Sequence, residues 1–175
     1  MAEVRISGDD IIITTEPKPG PKPGPRQETW KGEGTVGLLI KADMEQRYTL
    51  TVAYPANKPD AKIALDGHRD FAGTQAIENA AWAYMTKSRA IGLWHQDGTD
   101  GAGEVVESYI YRGPDWTVKA PGGSEEVIKA GDWMLGIRWS PEAWGLIKAG
   151  EINGVSMQGK GTRRMPTAEA LAGLR

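Results

Sequence analysis

Hydrophobic and polar residues alternate along two stretches of the chain with the period that a β-strand requires. Residues 48–54 place Tyr, Leu, Val and Tyr between Thr and Ala, and residues 133–139 place Trp, Leu, Ile and Trp in the same way. Successive side chains of a strand point to opposite faces, so the pattern predicts two half-buried strands. Shorter runs predict further strands at 36–42, 91–95, 104–111, 116–119 and 151–158.

Two other stretches carry the spacing and the boundary residues of helices. One helix is predicted from an N-cap at Thr74 to about Ser88, because its apolar residues form one stripe. Ser140 followed by Pro141 predicts the start of a second helix, which Gly150 is placed to end. Many short strands with two modest helices indicate an α+β fold: a small closed or strongly bent β-barrel flanked by helices.

The clearest boundary along the chain is a segment rich in proline and glycine at 16–28. Proline removes backbone donors and fixes φ, which predicts a semi-rigid linker. It separates an N-terminal arm at 1–15 from a main domain at 29–164, which is followed by a short tail or helix at 165–175. Within the arm, residues 11–13 favour a single strand, either frayed or added to the sheet edge of a partner.

Composition narrows the classes of function. The 175 residues, 39% hydrophobic and 25% charged, are typical of one soluble domain with its own core. A net charge of −2 and an N-terminus without a long apolar run lead us to expect neither a nucleic acid nor a membrane as partner. No cysteine and only two histidines are present, so disulfides and thiol catalysis are excluded. We expect no metal and no cofactor.

One serine and one histidine are candidates for nucleophilic catalysis. On a strand over 151–158, Val155 and Met157 would share the core face and Ser156 would project to the opposite surface. A serine hydroxyl needs a neighbouring base, and imidazole serves as one near neutral pH. Strands of one sheet could bring His95 and Ser156 within hydrogen-bond reach. Taken alone, each residue is explained better by a structural role, the serine as a turn or strand residue and the histidine as the cap of a strand end.

A third side chain should orient the imidazole and stabilise its cation. Glu107 is the first choice, because a hairpin after His95 would place the two side by side. Asp97 is nearer in sequence but lies in a predicted loop, and His68 and Asp70 are further candidates. A solvated surface position explains each of the four equally well.

Five segments of the main domain occur in a specific order, and one of them contains the pattern K-x-G-E-I-N-G-V-S. This order, over roughly residues 30–164, resembles the phage serine proteases of the XkdF type. These are similar in turn to the wider group of prohead proteases related to herpesvirus assemblin. The five segments are 66–71, the helix around 77–85, 91–95, 104–109 and 148–157.

The resemblance implies a closed β-barrel with a catalytic pair, carried over onto His95 and Ser156. It implies a serine endopeptidase that cleaves scaffold and major capsid proteins inside an assembling procapsid in the host cytoplasm. A homo-oligomer is also compatible with the resemblance. Assemblins use a second histidine located after the serine, and none follows Ser156 here. An acidic third residue is therefore expected, Glu107 first.

The resemblance also suggests where oxyanion donors lie. Candidates are Gly159 and the pair Arg163 and Arg164, which would correspond to an arginine pair near the oxyanion site of assemblins. A basic strand end without a catalytic role explains the two arginines about as well. Two other functions remain: an inactive capsid-assembly protein with the same fold, and a small β-barrel module that binds peptide or nucleic acid. A further hypothesis is that the proline-rich arm docks the protein to the scaffold.

Overall fold

Strands contain more residues than helices in the structure, which is a computed structural model. It describes residues 2–5, 11–15, 27–30, 37–43, 46–60, 69–119 and 123–175, the first four ranges by their backbone alone. None of the helices in these ranges is long and apolar enough to span a membrane. The helices are α1 (Thr74–Lys87), α2 (Pro141–Lys148) and α3 (Ala168–Ala172). The strands are β1 (Ala2–Arg5), β2 (Ile11–Thr15), β3 (Gln27–Trp30), β4 (Gly37–Asp43), β5 (Tyr48–Tyr54), β6 (Asp70–Phe71), β7 (Ile91–Leu93), β8 (Gly103–Ile110), β9 (Trp116–Lys119), β10 (Glu125–Ile128), β11 (Trp133–Trp139) and β12 (Gly154–Arg164).

Ten of the described strands form one large sheet, and β9 and β10 form a separate hairpin. The large sheet has the order β6-β2-β12-β4-β5-β11-β8, and β1 pairs with both β12 and β7. Strand β12 has the most neighbours: it is parallel to β1 and β2 and antiparallel to β3 and β4. The α+β class predicted from the sequence is confirmed, and closure into a barrel stays a prediction.

The main core lies between one face of the sheet and the helices α1 and α2. Trp133, Leu135 and Ile137 of β11 are buried there together with Ile91 of β7 and Tyr84 of α1. Tyr84 meets Trp133 edge to face, with ring centroids 5.5 Å apart. Burial of large side chains is the dominant favourable term in folding, so this core holds the strands in their places.

Strands β5 and β11 are buried on both faces, so the prediction of half-buried strands was wrong. On the face away from the main core, Leu50, Val52 and Met134 pack against Val118 and Ile128 of the β9–β10 hairpin. Alternation along one strand reports which residues share a face, but it does not reveal that a hairpin elsewhere in the chain covers the second face.

The two predicted helix starts have different outcomes. Helix α1 begins at Thr74, but its N-cap is Gly73 and no side chain caps it, so the N-cap prediction was wrong. Helix α2 begins as predicted: Pro141 is its first residue, and the Ser140 hydroxyl accepts a hydrogen bond from the Ala143 amide at 3.2 Å. The Ile77 amide donates to the Gly73 carbonyl at 3.1 Å, so the first backbone bond of α1 makes Gly73 the cap and Thr74 the first helical residue.

The N-terminal arm pairs with the sheet of its own chain. The predicted strand at 11–13 is β2, which pairs with β12 and β6 rather than with a partner. Most of the predicted linker, 16–26, lies outside the described residues, whereas 27–30 form β3 on β12. Arm and main domain therefore contribute strands to one sheet.

Candidate active site

Ser156 and His95 meet in the folded chain although 61 positions separate them in sequence. Ser156 Oγ lies 2.7 Å from His95 Nε2. Ser156 is fully buried, with 0% of its surface exposed, and His95 is partly exposed. At this separation an unprotonated Nε2 accepts the hydroxyl hydrogen. This is the arrangement that a serine nucleophile and its base require.

Strand β12 sets the position of Ser156. Val155 and Met157 are both buried in the main core, so Ser156 projects from the opposite face of the strand, as the spacing predicted. The expectation that Ser156 reaches an open surface was wrong, because Ser156 is fully buried on that face, beside His95. Strand β1 pairs with it from Val155 onward, and β4 pairs with it on the other side at Gly154.

A left-handed turn sets the position of His95. Strand β7 ends at Leu93, two residues earlier than predicted, and Trp94 and His95 have φ of 51° and 55°. The Gln96 amide donates to the Leu93 carbonyl at 3.0 Å and closes the turn. Residues other than glycine pay roughly 1–2 kcal/mol for this conformation. The imidazole thus reaches Ser156 from a strained turn beyond the strand end.

Hydrogen bonds at the start of β7 hold the segment that leads to this turn. The buried Tyr84 hydroxyl donates to the Ala90 carbonyl at 3.2 Å, and burial raises the pKa of Tyr84, which keeps the phenol protonated as a donor. After the turn, the amides of Gly101 and Ala102 both donate to the Ile91 carbonyl at 3.0 Å. The chain around His95 is therefore anchored before and after the imidazole.

The structure places Glu107 beside Tyr48. Strand β7 pairs with β1, and β8 pairs with β11, so the predicted hairpin is not formed among the described strands. The Tyr48 hydroxyl donates to Glu107 Oε2 at 2.8 Å, next to Gly136. Burial first, and then the Glu107 carboxylate, raise the pKa of Tyr48 well above its usual value. The role of Glu107 as third catalytic residue stays a prediction.

The other candidates for the third role have different surroundings. Asp70 is buried, and its Oδ2 accepts hydrogen bonds from Arg163 Nε at 3.1 Å and Nη2 at 2.6 Å. Asp97 is exposed, two residues after His95. His68 lies outside the described residues. The Asp70 carboxylate therefore balances the charge of an arginine on β12.

The predicted oxyanion donors lie on the same strand as Ser156, and their role stays a prediction. Gly159, Arg163 and Arg164 follow Ser156 by three, seven and eight residues. At roughly 3.3 Å per residue these steps place their backbones roughly 10, 23 and 26 Å along the strand. Gly159 pairs with Trp30 of β3. On this geometry the arginines belong to the far end of the strand.

Thr99 is a further residue near the site, and it was not among the predicted site residues. Its hydroxyl accepts a hydrogen bond from the Leu93 amide and lies within donating distance of the Gln96 carbonyl, both at 2.8 Å. The sequence contained a feature that could have indicated this role. The pair Asp97-Gly98 after His95 marks a turn, and a threonine directly after such a pair often bonds to the turn backbone.

Comparison with known proteins places these residues in a family. A family model described as "Putative phage serine protease XkdF" matches residues 35–164. In Bacillus subtilis (strain 168), "Uncharacterized protein YqbD" is 39% identical over 127 residues, which are 71% of this chain and 34% of that protein. "Phage-like element PBSX protein XkdF" of the same strain is 38% identical over 129 residues, 73% of this chain and 42% of that protein. The chain thus spans less than half the length of both relatives, and no solved structure matches it. The match over most of its length shows that the chain belongs to the XkdF family of phage proteins.

Proposed function

We propose that the chain is a serine endopeptidase in which Ser156 is the nucleophile and His95 is the general base. The 2.7 Å separation between Ser156 Oγ and His95 Nε2 carries the proposal. A description of the family as phage serine proteases supports it. The buried neighbours of Ser156 support it further, because they hold the hydroxyl in one place on the strand.

In the proposed reaction, His95 accepts the hydroxyl proton while Ser156 Oγ attacks the carbonyl carbon of a peptide. The tetrahedral intermediate collapses as the imidazolium donates that proton to the leaving amine, which breaks the C–N bond and leaves an acyl-serine. Water then attacks the ester, with His95 again as base, and releases the new carboxyl end. Each step uses side chains of this chain and water.

The group that steadies the imidazolium is proposed from the sequence alone. Glu107 remains the first proposal, although its carboxylate accepts a hydrogen bond from Tyr48. Asp97 competes with it, because only one residue separates it from His95. The endopeptidase proposal itself depends on the histidine and the serine.

The substrates that we propose are the scaffold and major capsid proteins of the phage, cleaved inside the procapsid in the host cytoplasm. The word "phage" in the description of the family and in the name of one relative supports this setting. A peptidase enclosed with the proteins that it cleaves acts at a high effective concentration, which suits a single round of maturation.

We also propose that the large sheet closes into a barrel, as the resemblance implies. The strand path β7-β1-β12-β4-β5-β11-β8 supports closure, because its two ends approach each other. Ala102, the residue before β8, donates its amide to the Ile91 carbonyl of β7 at 3.0 Å. A crystal structure with β7 and β8 on separate open edges would refute the closed barrel.

A fluorophosphonate, which phosphonylates activated serines with loss of fluoride, tests the enzyme proposal. We expect the wild type to be labelled at Ser156 and the rate to fall at least about a thousandfold in Ser156→Ala and His95→Gln. Ser124→Ala, a change at an exposed serine, is the matched control and should keep the wild-type rate. Glu107→Gln and Asp97→Asn belong in the same series. Substitution of whichever residue orients His95 should lower the labelling rate more than substitution of the other residue.

Co-expression with the scaffold and capsid proteins of the phage then tests the substrates. The wild type should shorten these proteins and Ser156→Ala should leave them intact, as read by mass spectrometry. Continued processing by Ser156→Ala would show that the nucleophile is misassigned. Absence of labelling in a folded wild-type protein would favour the inactive capsid-assembly protein.

A further inference from the structure

The turn that carries His95 is built from residues that do not favour its conformation. Trp94 and His95 occupy the two central positions of a turn closed by the bond from the Gln96 amide to the Leu93 carbonyl, and both have positive φ. Turns with two positive φ angles are usually made by Asn and Gly. A bulky tryptophan persists in such a conformation only where surrounding contacts hold it there.

The Thr99 hydroxyl supplies such contacts. It accepts a hydrogen bond from the Leu93 amide at 2.8 Å, directly before the two strained residues. Its own hydrogen faces the Gln96 carbonyl at 2.8 Å, directly after them, with the Leu93 carbonyl at 3.2 Å as a second acceptor. One hydroxyl thus bridges the first and last residues of the turn.

We propose that Thr99 is a positioning residue, whose hydroxyl clamps the left-handed turn and thereby holds His95 Nε2 on the Ser156 hydroxyl. Without the clamp, the Leu93 amide loses its acceptor, and the turn relaxes toward the negative φ that Trp94 and His95 prefer. The kinetic consequence rests on the proposed peptidase function, whereas the structural consequence for His95 does not.

The kinetic test compares Thr99→Val with Thr99→Ser. Valine has the shape of threonine but no hydroxyl, and serine keeps the hydroxyl. We expect Thr99→Val to lower the rate of phosphonylation by the fluorophosphonate about tenfold to a hundredfold, the loss that misplacing a catalytic group causes. Thr99→Ser should stay near the wild-type rate. Rates are measured well below the melting temperature of every variant, so that loss of stability alone does not change them.

A spectroscopic test is independent of catalysis. The chain has two histidines, so the imidazole nitrogens of His95 and His68 can be resolved by NMR of protein labelled with ¹⁵N-histidine, and His95→Gln assigns them. In Thr99→Val we expect the Nε2 signal of His95 to shift toward its position in Ser156→Ala, where the hydrogen bond is missing. The His68 signals serve as the internal reference.

A double variant separates clamping from a general loss of fold. Glycine adopts positive φ without strain, so Trp94→Gly should remove much of the need for the clamp. We expect Trp94→Gly combined with Thr99→Val to recover part of the wild-type His95 signal. If the double variant is folded and its His95 signal does not recover, Thr99 does not act by holding the strained turn.

The remaining outcomes are also decisive. If Thr99→Val matches the wild type in the rate of labelling and in the His95 signal, the positioning role is wrong, even where its melting temperature falls. If the wild type is never labelled by the fluorophosphonate but the His95 signal moves in Thr99→Val, the peptidase proposal fails while the clamp stands.

Discussion

Strand β12 holds Ser156 by regular pairing with β1 and by two buried neighbours, whereas His95 is held by a turn of two left-handed residues. On the serine side, Val155 and Met157 are buried in the main core and fix the register of the strand. On the histidine side, Trp94 is 42% exposed, and the conformation depends on hydrogen bonds within the segment that follows β7. The serine is thus placed by the core, and the histidine by local contacts.

This difference suggests how the two halves of the site respond to change. The core is close-packed, so a substitution beside Ser156 should act first on the free energy of unfolding. A substitution in the turn removes little buried surface, so it should act first on the direction of the imidazole. Three substitutions test this contrast, from the largest expected effect on stability to the smallest.

Met157→Ala should destabilise the protein most. Met157 is 3% exposed within the main core, and truncating such a side chain costs about 2–5 kcal/mol of the free energy of unfolding. Urea unfolding followed by tryptophan fluorescence measures the loss, and Lys160→Ala on the same strand, at an exposed position, is the control. A change of less than about 1 kcal/mol would show that the core does not fix this strand.

Arg163→Ala should have an intermediate effect, because it leaves the buried Asp70 carboxylate without this cation. Breaking a buried ion pair costs about 3–5 kcal/mol of the free energy of unfolding. Because the Arg163 side chain is 24% exposed, we expect a smaller loss of about 2–3 kcal/mol. The rate of fluorophosphonate labelling of the folded protein should not change, as in the control Arg138→Ala, a change at an exposed arginine of β11. A drop of about a hundredfold with the fold intact would instead establish the predicted oxyanion role.

Trp94→Asn should have the smallest effect on stability, less than about 1 kcal/mol. Asparagine tolerates positive φ better than tryptophan does, and this gain offsets the buried part of the indole that is lost. The same urea titration measures it. A loss above about 2 kcal/mol would place Trp94 in the core and remove the contrast between the two halves of the site.

Local sequence rules predicted the elements that depend on neighbouring residues. Ser140 and Pro141 start α2 as expected, and the spacing that put Val155 and Met157 on one face and Ser156 on the other matches β12. The same rules failed at the start of α1, where Thr74 is not the cap. They also failed where distant segments decide, because β5 and β11 are covered on both faces by parts of the chain that alternation does not report.

By itself, the sequence determined the α+β class, most strands, the two main helices and the residues able to do acyl-transfer chemistry, because period and residue type are local properties. Only the tertiary structure decided that a serine and a histidine 61 positions apart share one hydrogen bond, and that Arg163 binds Asp70. It also decided that β7 ends before His95 and that Thr99 bridges the turn beyond it. These contacts join residues whose separation in space depends on the whole sheet, and no local period encodes that separation.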